Sequence, residues 1–277
     1  VKVLVLGKGF IGSKLIDFLR LKDVDTFGIA QNEINYTSSR ALANLLRDYN
    51  FTHVINCCGY TGVPNVDGCE SNKEDCWKYN VVIASKIDSL VKYYNKKMIH
   101  ISSGCIYTGY EKEFEETDVP NFGLFNPQSS FYSKTKHAFE TIIDTHCSAI
   151  FRIRMPFTGL RENKNYLYKL LKYDNLISMP NSLTGVNDLN ELVYKFILDF
   201  RPGLYNVVNP QPLTAKEIVD IMKKYNINNV NWKFIDISNL NTVANRSNCV
   251  LSANKLKSLG LSLPDTLVSL ENCIKSL

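Results

Sequence analysis

The sequence predicts an α/β fold, a doubly wound parallel sheet with a smaller C-terminal lobe. Three observations point there. Short apolar runs with strand character alternate with amphipathic helical runs from the first residue, a glycine-rich turn joins the first strand to the first helix, and no repeat or low-complexity tract interrupts the 277 residues.

The elements follow in order. Residues 2–6 form a compact apolar run, glycines follow, and residues 11–21 carry apolar side chains at helical spacing. A second strand is expected at 25–29, a helix at 41–49 and a third strand at 53–57, and this βαβαβ succession predicts parallel pairing with right-handed crossovers. A long helix at 73–94, a strand at 98–102, a helix at 131–145 and a strand at 149–153 extend the core. After Met155-Pro156 the regularity loosens: a helix near 166–173, a short strand at 176–179, helices near 189–200 and 215–225, a loop at 236–248 and a final helix after Pro264.

Composition narrows the class. At 45% hydrophobic and 21% charged the chain has a globular profile, and no apolar run reaches the roughly 18–20 residues that span a bilayer. The first strand has neither the basic flank nor the cleavage site of a secretory signal, so a soluble, cytoplasmic protein is expected. The eight cysteines, at 57, 58, 69, 76, 105, 147, 249 and 273, form no CxxC pair and stand beside only four histidines. No metal site is expected, and in a reducing compartment most of the thiols read as small buried hydrophobes. The net charge of +5 is dispersed, which argues weakly for an anionic ligand and does not indicate nucleic acid. Two glycosylation-like triplets, Asn35-Tyr36-Thr37 and Asn245-Arg246-Ser247, are taken as chance.

Gly7-Lys8-Gly9-Phe10-Ile11-Gly12 is a GxGxxG between the first strand and the first helix, the context its mechanism requires. Glycines permit the tight turn and let backbone N–H groups approach a pyrophosphate at the helix N-terminus. The expectation is a Rossmann-like dinucleotide-binding core over residues 1–155, with residues 156–277 mainly a substrate-binding lobe interleaved with it. The end of the second strand, Ile29-Ala30-Gln31-Asn32, offers neither a carboxylate for the ribose hydroxyls nor an Arg, so NADPH is favoured with NADH as the alternative.

Tyr132-Ser133-Lys134-Thr135-Lys136 sets a Tyr and a Lys four residues apart on one helical face. A free phenol titrates at about 10 and a neighbouring ammonium favours its anion, so Lys136 is expected to tune Tyr132 for proton transfer to a carbonyl oxygen as hydride arrives. Ser102-Ser103-Gly104-Cys105-Ile106-Tyr107 ends the fourth strand, where open α/β sheets keep their sites.

Glycine loop, strand-end Ser and YxxxK together resemble the extended short-chain dehydrogenase/reductases over the entire chain. The runs from Gly59-Tyr60-Thr61 to Cys69-Glu70, Ser103-Gly104-Cys105-Ile106, Pro120-Asn121-Phe122, Arg152-Ile153-Arg154-Met155-Pro156 and Pro180-Asn181-Ser182 resemble one subgroup, the nucleotide-rhamnose 3,5-epimerase/4-reductases, which include the reductase half of UDP-rhamnose synthase. It is related to the dTDP-4-dehydrorhamnose reductases. One departure is the glycine loop, a residue shorter than that family's usual GxxGxxG.

The resemblance implies a UDP- or dTDP-4-keto-6-deoxyglucose substrate, UDP favoured, whose C3 and C5 are inverted and whose C4 ketone is reduced. It implies that Ser103 holds the substrate carbonyl, Tyr132 donates the proton, Lys136 orients Tyr132 and the cofactor, and Cys105 is a proton-transfer thiol. Because inversion needs a proton returned to the opposite face, a second group is required. Lys169 is expected there, with Lys164 and Lys172 as alternatives. Cys58, Gly59, Tyr60 and Asn80 are expected beside the cofactor, and Thr61, Asn65, Asp67, Asn181, Arg246 and Asn248 around the substrate, with Arg246 suited to a phosphate by its planar fork. Relatives suggest a homodimer. The rival readings are a 4-reductase without epimerase activity, a non-catalytic NADP-binding regulatory subunit, and a sugar 4,6-dehydratase, which would be expected to carry an acidic residue where Gly104 and Cys105 stand.

Overall fold

The computed structural model describes residues 1–228 and 231–277. Its centre is a six-stranded sheet of β1 (Lys2–Leu6), β2 (Asp25–Ile29), β3 (His53–Asn56), β4 (Lys97–Ser103), β5 (Ser148–Ile153) and β6 (Gly203–Val207), in the order β2-β1-β3-β4-β5-β6. Every pairing is parallel, with Leu4 level with Phe27 on one side and Val54 on the other. Strands buried on both faces must be apolar at successive positions, and Val3 to Leu6 are all inaccessible.

Helices cover both faces. On one, Leu15 and Leu19 of α1 (Phe10–Leu21) meet Leu189, Val193 and Phe196 of a later helix, Val186–Leu198. On the other, Leu42 and Leu46 of α2 (Ser39–Asp48), Ile87 and Val91 of α3 (Ala84–Tyr93) and Phe139 of α4 (Phe131–Ile142) form a second core. A third apolar cluster belongs to the later chain, where α5 (Tyr166–Lys172) contributes Leu167 and Leu170 beside Ile218, Met222 and Leu270.

Two expectations are corrected. The long helix expected at 73–94 is helical throughout but not uniform: Lys73–Trp77 and α3 are joined by a π-helical stretch, Lys78–Ile83, a local widening that recurs at functional sites. The sheet also gains a sixth strand that the sequence reading lacked. β6 reads Gly-Leu-Tyr-Asn-Val, and its buried Asn206 breaks the apolar run because its amide donates to the carbonyls of Phe114 and Ser252 at 2.9 and 3.3 Å.

Strand order reverses direction between β1 and β3. Open α/β sheets leave a crevice at such a switch point, beyond the carboxyl ends of the strands. Gly7, Cys57 to Gly59 and Ser103 to Cys105 all follow strand ends on that side.

Candidate active site

The glycine loop is shaped for a charged backbone ligand. Gly7 adopts φ +94°, and a Cβ on Gly12 would lie 1.9 Å from the Gly7 carbonyl oxygen. A Cβ on Gly9 would meet nothing within 4 Å, and the N–H groups of residues 10–12 at the start of α1 have no protein acceptor among the described residues. These features fit a pyrophosphate. Gly12→Ala is therefore expected to displace the loop at a cost of about 1–3 kcal/mol, hence a dinucleotide affinity lower by roughly 5- to 150-fold. Fluorescence titration with NADPH checks this, and an unchanged dissociation constant would reject the placement.

The β2 end is as expected, and the structure adds to it. No carboxylate stands in residues 29–32, but the next residue folds back: Glu33 accepts from Ala30 N at 2.8 Å and from Lys8 Nζ at 2.7 Å. The Ala30 N–H first and Lys8 second hold its carboxyl below the usual range. The turn thus presents both an acceptor for ribose hydroxyls and, on Lys8, a cation for a phosphate. A groove of about 470 Å³ lined by Gln31, Asn32 and Asn35 opens at the same place.

Phe10 and Ile11 begin α1, and Lys14 Nζ stands 4.5 Å from the Phe10 ring centroid. Cys58 lies against Gly7, and its N–H donates to Asn56 Oδ1 at 3.0 Å. Gly59 faces Lys136, since a Cβ there would sit 3.4 Å from Lys136 Nζ. Asn80, on the π-helical stretch, is spent on holding this loop: its Oδ1 accepts from Tyr60 N at 2.8 Å, while Nδ2 donates to Tyr60 O at 2.9 Å and to Thr135 Oγ1 at 3.0 Å. It positions Tyr60 against α4.

Ser103, Cys105, Tyr132 and Lys136 converge where β4 ends against α4. Ser130 caps α4, accepting from Ser133 N at 3.1 Å, and so fixes the turn that carries Tyr132. Tyr132 is packed with Cys69, Cys76 and Cys105 in one cluster, and its phenol shares a hydrogen bond with Ser103. Cys105 N donates to Ser103 Oγ at 3.2 Å. The expected lowering of the phenol by Lys136 is not the balance struck here. Burial first, then Cys105, push Tyr132 up against the opposing hydrogen bond from Ser103, so the phenol keeps its proton. Burial likewise lowers Lys136, whose Nζ lies 5.8 Å from the Tyr132 ring centroid. Lys136 Nζ donates to no protein acceptor among the described residues.

The substrate-side residues come together in two groups. Asp67 and Arg246, 179 positions apart, form a two-fold contact at 2.8 and 3.0 Å, and Asp67 also accepts from Ala244 N at 2.8 Å. Burial raises the Asp67 carboxyl, but these partners outweigh it and hold it below the usual range. Asn65 serves the same loop through Asp67 N at 2.8 Å, and Lys164 pins it from the other lobe by donating to Thr61 Oγ1 at 2.7 Å and Gly62 O at 3.1 Å. In the second group buried Asn181 donates to Asn248 Oδ1 at 3.0 Å, and Asn248 Nδ2 is buried without a partner.

With Lys164 engaged at Thr61, and Lys172 donating to Asn163 Oδ1 at 2.7 Å, Lys169 is the one of the three candidates whose ammonium makes no hydrogen bond among the described residues. Burial first, then Lys164 and Arg246, lower its ammonium, while Cys105 opposes them.

Arg154 went unassigned in the sequence. It is fully buried and donates to Cys105 Sγ at 3.2 Å. The signal was its place in Arg152-Ile153-Arg154, at the end of β5 beside β4. No cluster of three His, Cys, Asp or Glu residues able to hold a metal ion occurs among the described residues, and no helix among them is long and apolar enough to cross a membrane.

This geometry can be set against known proteins. The family model for the RmlD substrate binding domain matches residues 1–277. The chain belongs to that family. A trifunctional UDP-glucose 4,6-dehydratase/UDP-4-keto-6-deoxy-D-glucose 3,5-epimerase/UDP-4-keto-L-rhamnose-reductase of Arabidopsis thaliana is 31% identical over 99% of the chain, which spans 41% of that protein. A bifunctional dTDP-4-dehydrorhamnose 3,5-epimerase/dTDP-4-dehydrorhamnose reductase of the same plant is 31% identical over 81% of the chain and 75% of its own length. Among solved structures, the UDP-rhamnose synthase of Acanthamoeba polyphaga mimivirus superposes with a TM-score of 0.90 at 23% identity, covering 100% of this chain and 99% of that one. The dTDP-4-dehydrorhamnose reductase of Bacillus anthracis, solved with NADP, gives 0.85 at 19%, with 100% and 99% covered. The expected Rossmann-like fold is therefore that of the RmlD family reductases.

Proposed function

We propose that this RmlD-family chain is an NADPH-dependent reductase of a UDP-linked 4-keto-6-deoxyhexose that also inverts C3 and C5 of the sugar before reduction, yielding UDP-β-L-rhamnose. The observation that carries it is the convergence of Ser103, Cys105, Tyr132 and Lys136 at the end of β4, beside a glycine loop shaped for a dinucleotide. Both Arabidopsis relatives are named for epimerisation as well as reduction, which supports reading the two activities together.

Gly7, Gly9, Phe10, Ile11 and Gly12 would hold the dinucleotide's phosphates, with Cys58, Gly59 and Tyr60 along the crevice. Bound there, NADPH supplies hydride to C4. The protein does the rest. Ser103 donates a hydrogen bond to the C4 carbonyl oxygen, and Tyr132, held protonated by burial, delivers its proton to that oxygen as the C–H bond forms. Lys136 would hold the nicotinamide ribose, and its ammonium stabilises the phenolate left behind until a proton from solvent restores the phenol.

For inversion, Cys105 as the thiolate removes a proton from carbon adjacent to the ketone and becomes the thiol. The resulting enolate is held by Ser103 and Tyr132, and Lys169, its ammonium destabilised by burial, returns a proton to the opposite face. Arg246, Asn248 and Asn181 meet the nucleotide's diphosphate, with Arg246 exchanging part of its contact with Asp67 for phosphate oxygens. Thr61 and Asn65 shape the sugar pocket.

The test supplies UDP- and dTDP-4-keto-6-deoxyglucose with NADPH or NADH in deuterium oxide and identifies the product sugar by NMR. Turnover to L-rhamnose with deuterium at C3 and C5 supports the full reading, reduction without deuterium leaves a 4-reductase, and no consumption favours a binding subunit. Cys105→Ser is expected to lower deuterium uptake by about 100-fold or more while reduction of the already inverted ketone stays within a few fold. Unimpaired uptake would remove Cys105 from the mechanism.

A further inference from the structure

Arg154 is the largest of the fully buried side chains, and a guanidinium in such a place must be matched on every side. Its Nη1 donates to Cys105 Sγ at 3.2 Å and Ser247 Oγ at 2.8 Å, and its Nη2 to Asn181 Oδ1 and to Ser247 O at 3.2 Å. Nε alone has no partner. Among the described residues no carboxylate faces it. Beyond the Cys105 sulfur, the Cys249 thiol and the Tyr110 phenol lie near it, and a cation buried among such neutral groups is poorly compensated unless the sulfur it touches, that of Cys105, carries negative charge during the reaction.

The surrounding backbone is built around this side chain. A Cβ on Gly104 would lie 2.4 Å from Leu251 Cδ1 and 3.0 Å from Arg154 Cδ, so the glycine between Ser103 and Cys105 makes room for the Arg154 stem. Arg154 N donates to Thr184 Oγ1 at 3.0 Å. The next residue, Met155, turns through φ +38°, a left-handed conformation costly to a side chain of its size and persisting only where the surroundings enforce it.

We infer that Arg154 is a positioning residue for proton transfer at carbon. Its guanidinium aims the Cys105 sulfur, accommodates the negative charge the sulfur bears as a thiolate before it takes a proton from carbon and after it gives that proton up, and couples that sulfur through Ser247 to the substrate loop between Arg246 and Asn248. Ser247 stands between the two residues expected to meet the nucleotide, so occupancy of that loop and alignment of the thiol share one planar fork. The inference rests on Cys105 acting in epimerisation, but it makes a claim about Cys105 that holds without substrate.

The experiment uses the full chain with Arg154→Gln and Arg154→Lys. Alkylation of Cys105 by iodoacetamide at neutral pH is followed on its tryptic peptide, alongside deuterium uptake at C3 and C5 and reduction of the inverted ketone. The expected order for alkylation, and for deuterium uptake per ketone reduced, is wild type, then Arg154→Lys, then Arg154→Gln, with the last lower by about tenfold or more. The partial rescue by Lys is what a merely structural role would not produce. Folded Arg154→Gln alkylating at the wild-type rate overturns the inference. Should that variant fail to fold, Arg154→Lys decides, because a single ammonium cannot serve sulfur, Ser247 and Asn181 together, and a wild-type rate there overturns it equally. Were wild type to take up no deuterium, the epimerase reading would fall while the order of alkylation rates would still decide the role of Arg154.

Discussion

Tyr132→Phe is expected to slow reduction of the C4 ketone by about 100- to 10,000-fold, the range that a positioned proton donor contributes. The substitution removes one oxygen and little else. The ring stays packed against Cys69 and Cys76, so the fold and the NADPH dissociation constant should stay near wild type. On the proposed mechanism, what is lost is the proton that must reach the carbonyl oxygen as the C–H bond forms, with only Ser103 left to meet the developing charge. Because burial holds the phenol up, Tyr132 enters the reaction protonated, and water is a poor substitute in a pocket where the phenol is 8% exposed. Single-turnover oxidation of bound NADPH, followed by absorbance, measures the step directly. A rate within about fivefold of wild type, well inside the range of an ordinary packing change, would exclude Tyr132 as the donor. Deuterium uptake at C3 and C5 should fall less than reduction, since Ser103 still stabilises the enolate.

The core of this fold was legible because its inner strands β1 and β3 are buried on both faces and its helices on one, which leaves a strong imprint in residues 2–57. Where local pattern and burial part company, the reading failed. β6 carries Gly203 at its start and Asn206 within, and Gly109–Phe114, which reads Gly-Tyr-Glu-Lys-Glu-Phe, is exposed along most of its length. Neither segment advertises a strand, and both are held by partners more than 40 positions away: β6 by β5, and Gly109–Phe114 by Cys249–Leu251.

The site divides the same way. Gly7 to Gly12 and the Tyr132–Lys136 pair are local motifs whose geometry follows from a turn and a helix. The Asp67–Arg246 pair, the return of Glu33 to Ala30 and Lys8, and the partners of Arg154 depend on tertiary folding that no short window encodes. The direction of the Tyr132 shift was missed for a related reason. A Lys at i+4 is visible in sequence, whereas the desolvation that outweighs it is a property of the assembled pocket.

Glu140→Ala is expected to produce the largest loss of stability, about 3–5 kcal/mol, because it strands a buried guanidinium. Arg152 donates to Glu140 Oε2 through Nε at 3.0 Å and Nη2 at 2.8 Å, with both side chains at most 5% exposed, and Ser102 Oγ donates to Glu140 Oε1 at 2.7 Å. The remaining Arg152 nitrogen donates to Tyr107 Oη at 2.9 Å. The network thereby ties α4, β4 and β5 together, one turn beyond Lys136 and one residue before Ser103. Urea denaturation of Glu140→Ala, Glu140→Leu, Arg152→Leu and the double variant Glu140→Leu/Arg152→Leu separates the cost of an unpaired charge from the worth of the pair, the two Leu singles closing the cycle. The double variant should recover at least half of the loss seen in Glu140→Ala, since apolar side chains of similar volume carry no desolvation penalty. A double variant as unstable as the sum of the singles would mean that the pair contributes no coupled energy and that its role is packing alone. If instead stability recovers while reduction stays slow, the buried pair serves chiefly to hold Ser103 and Tyr132 in register with each other, and the activity deficit measures the value of that alignment.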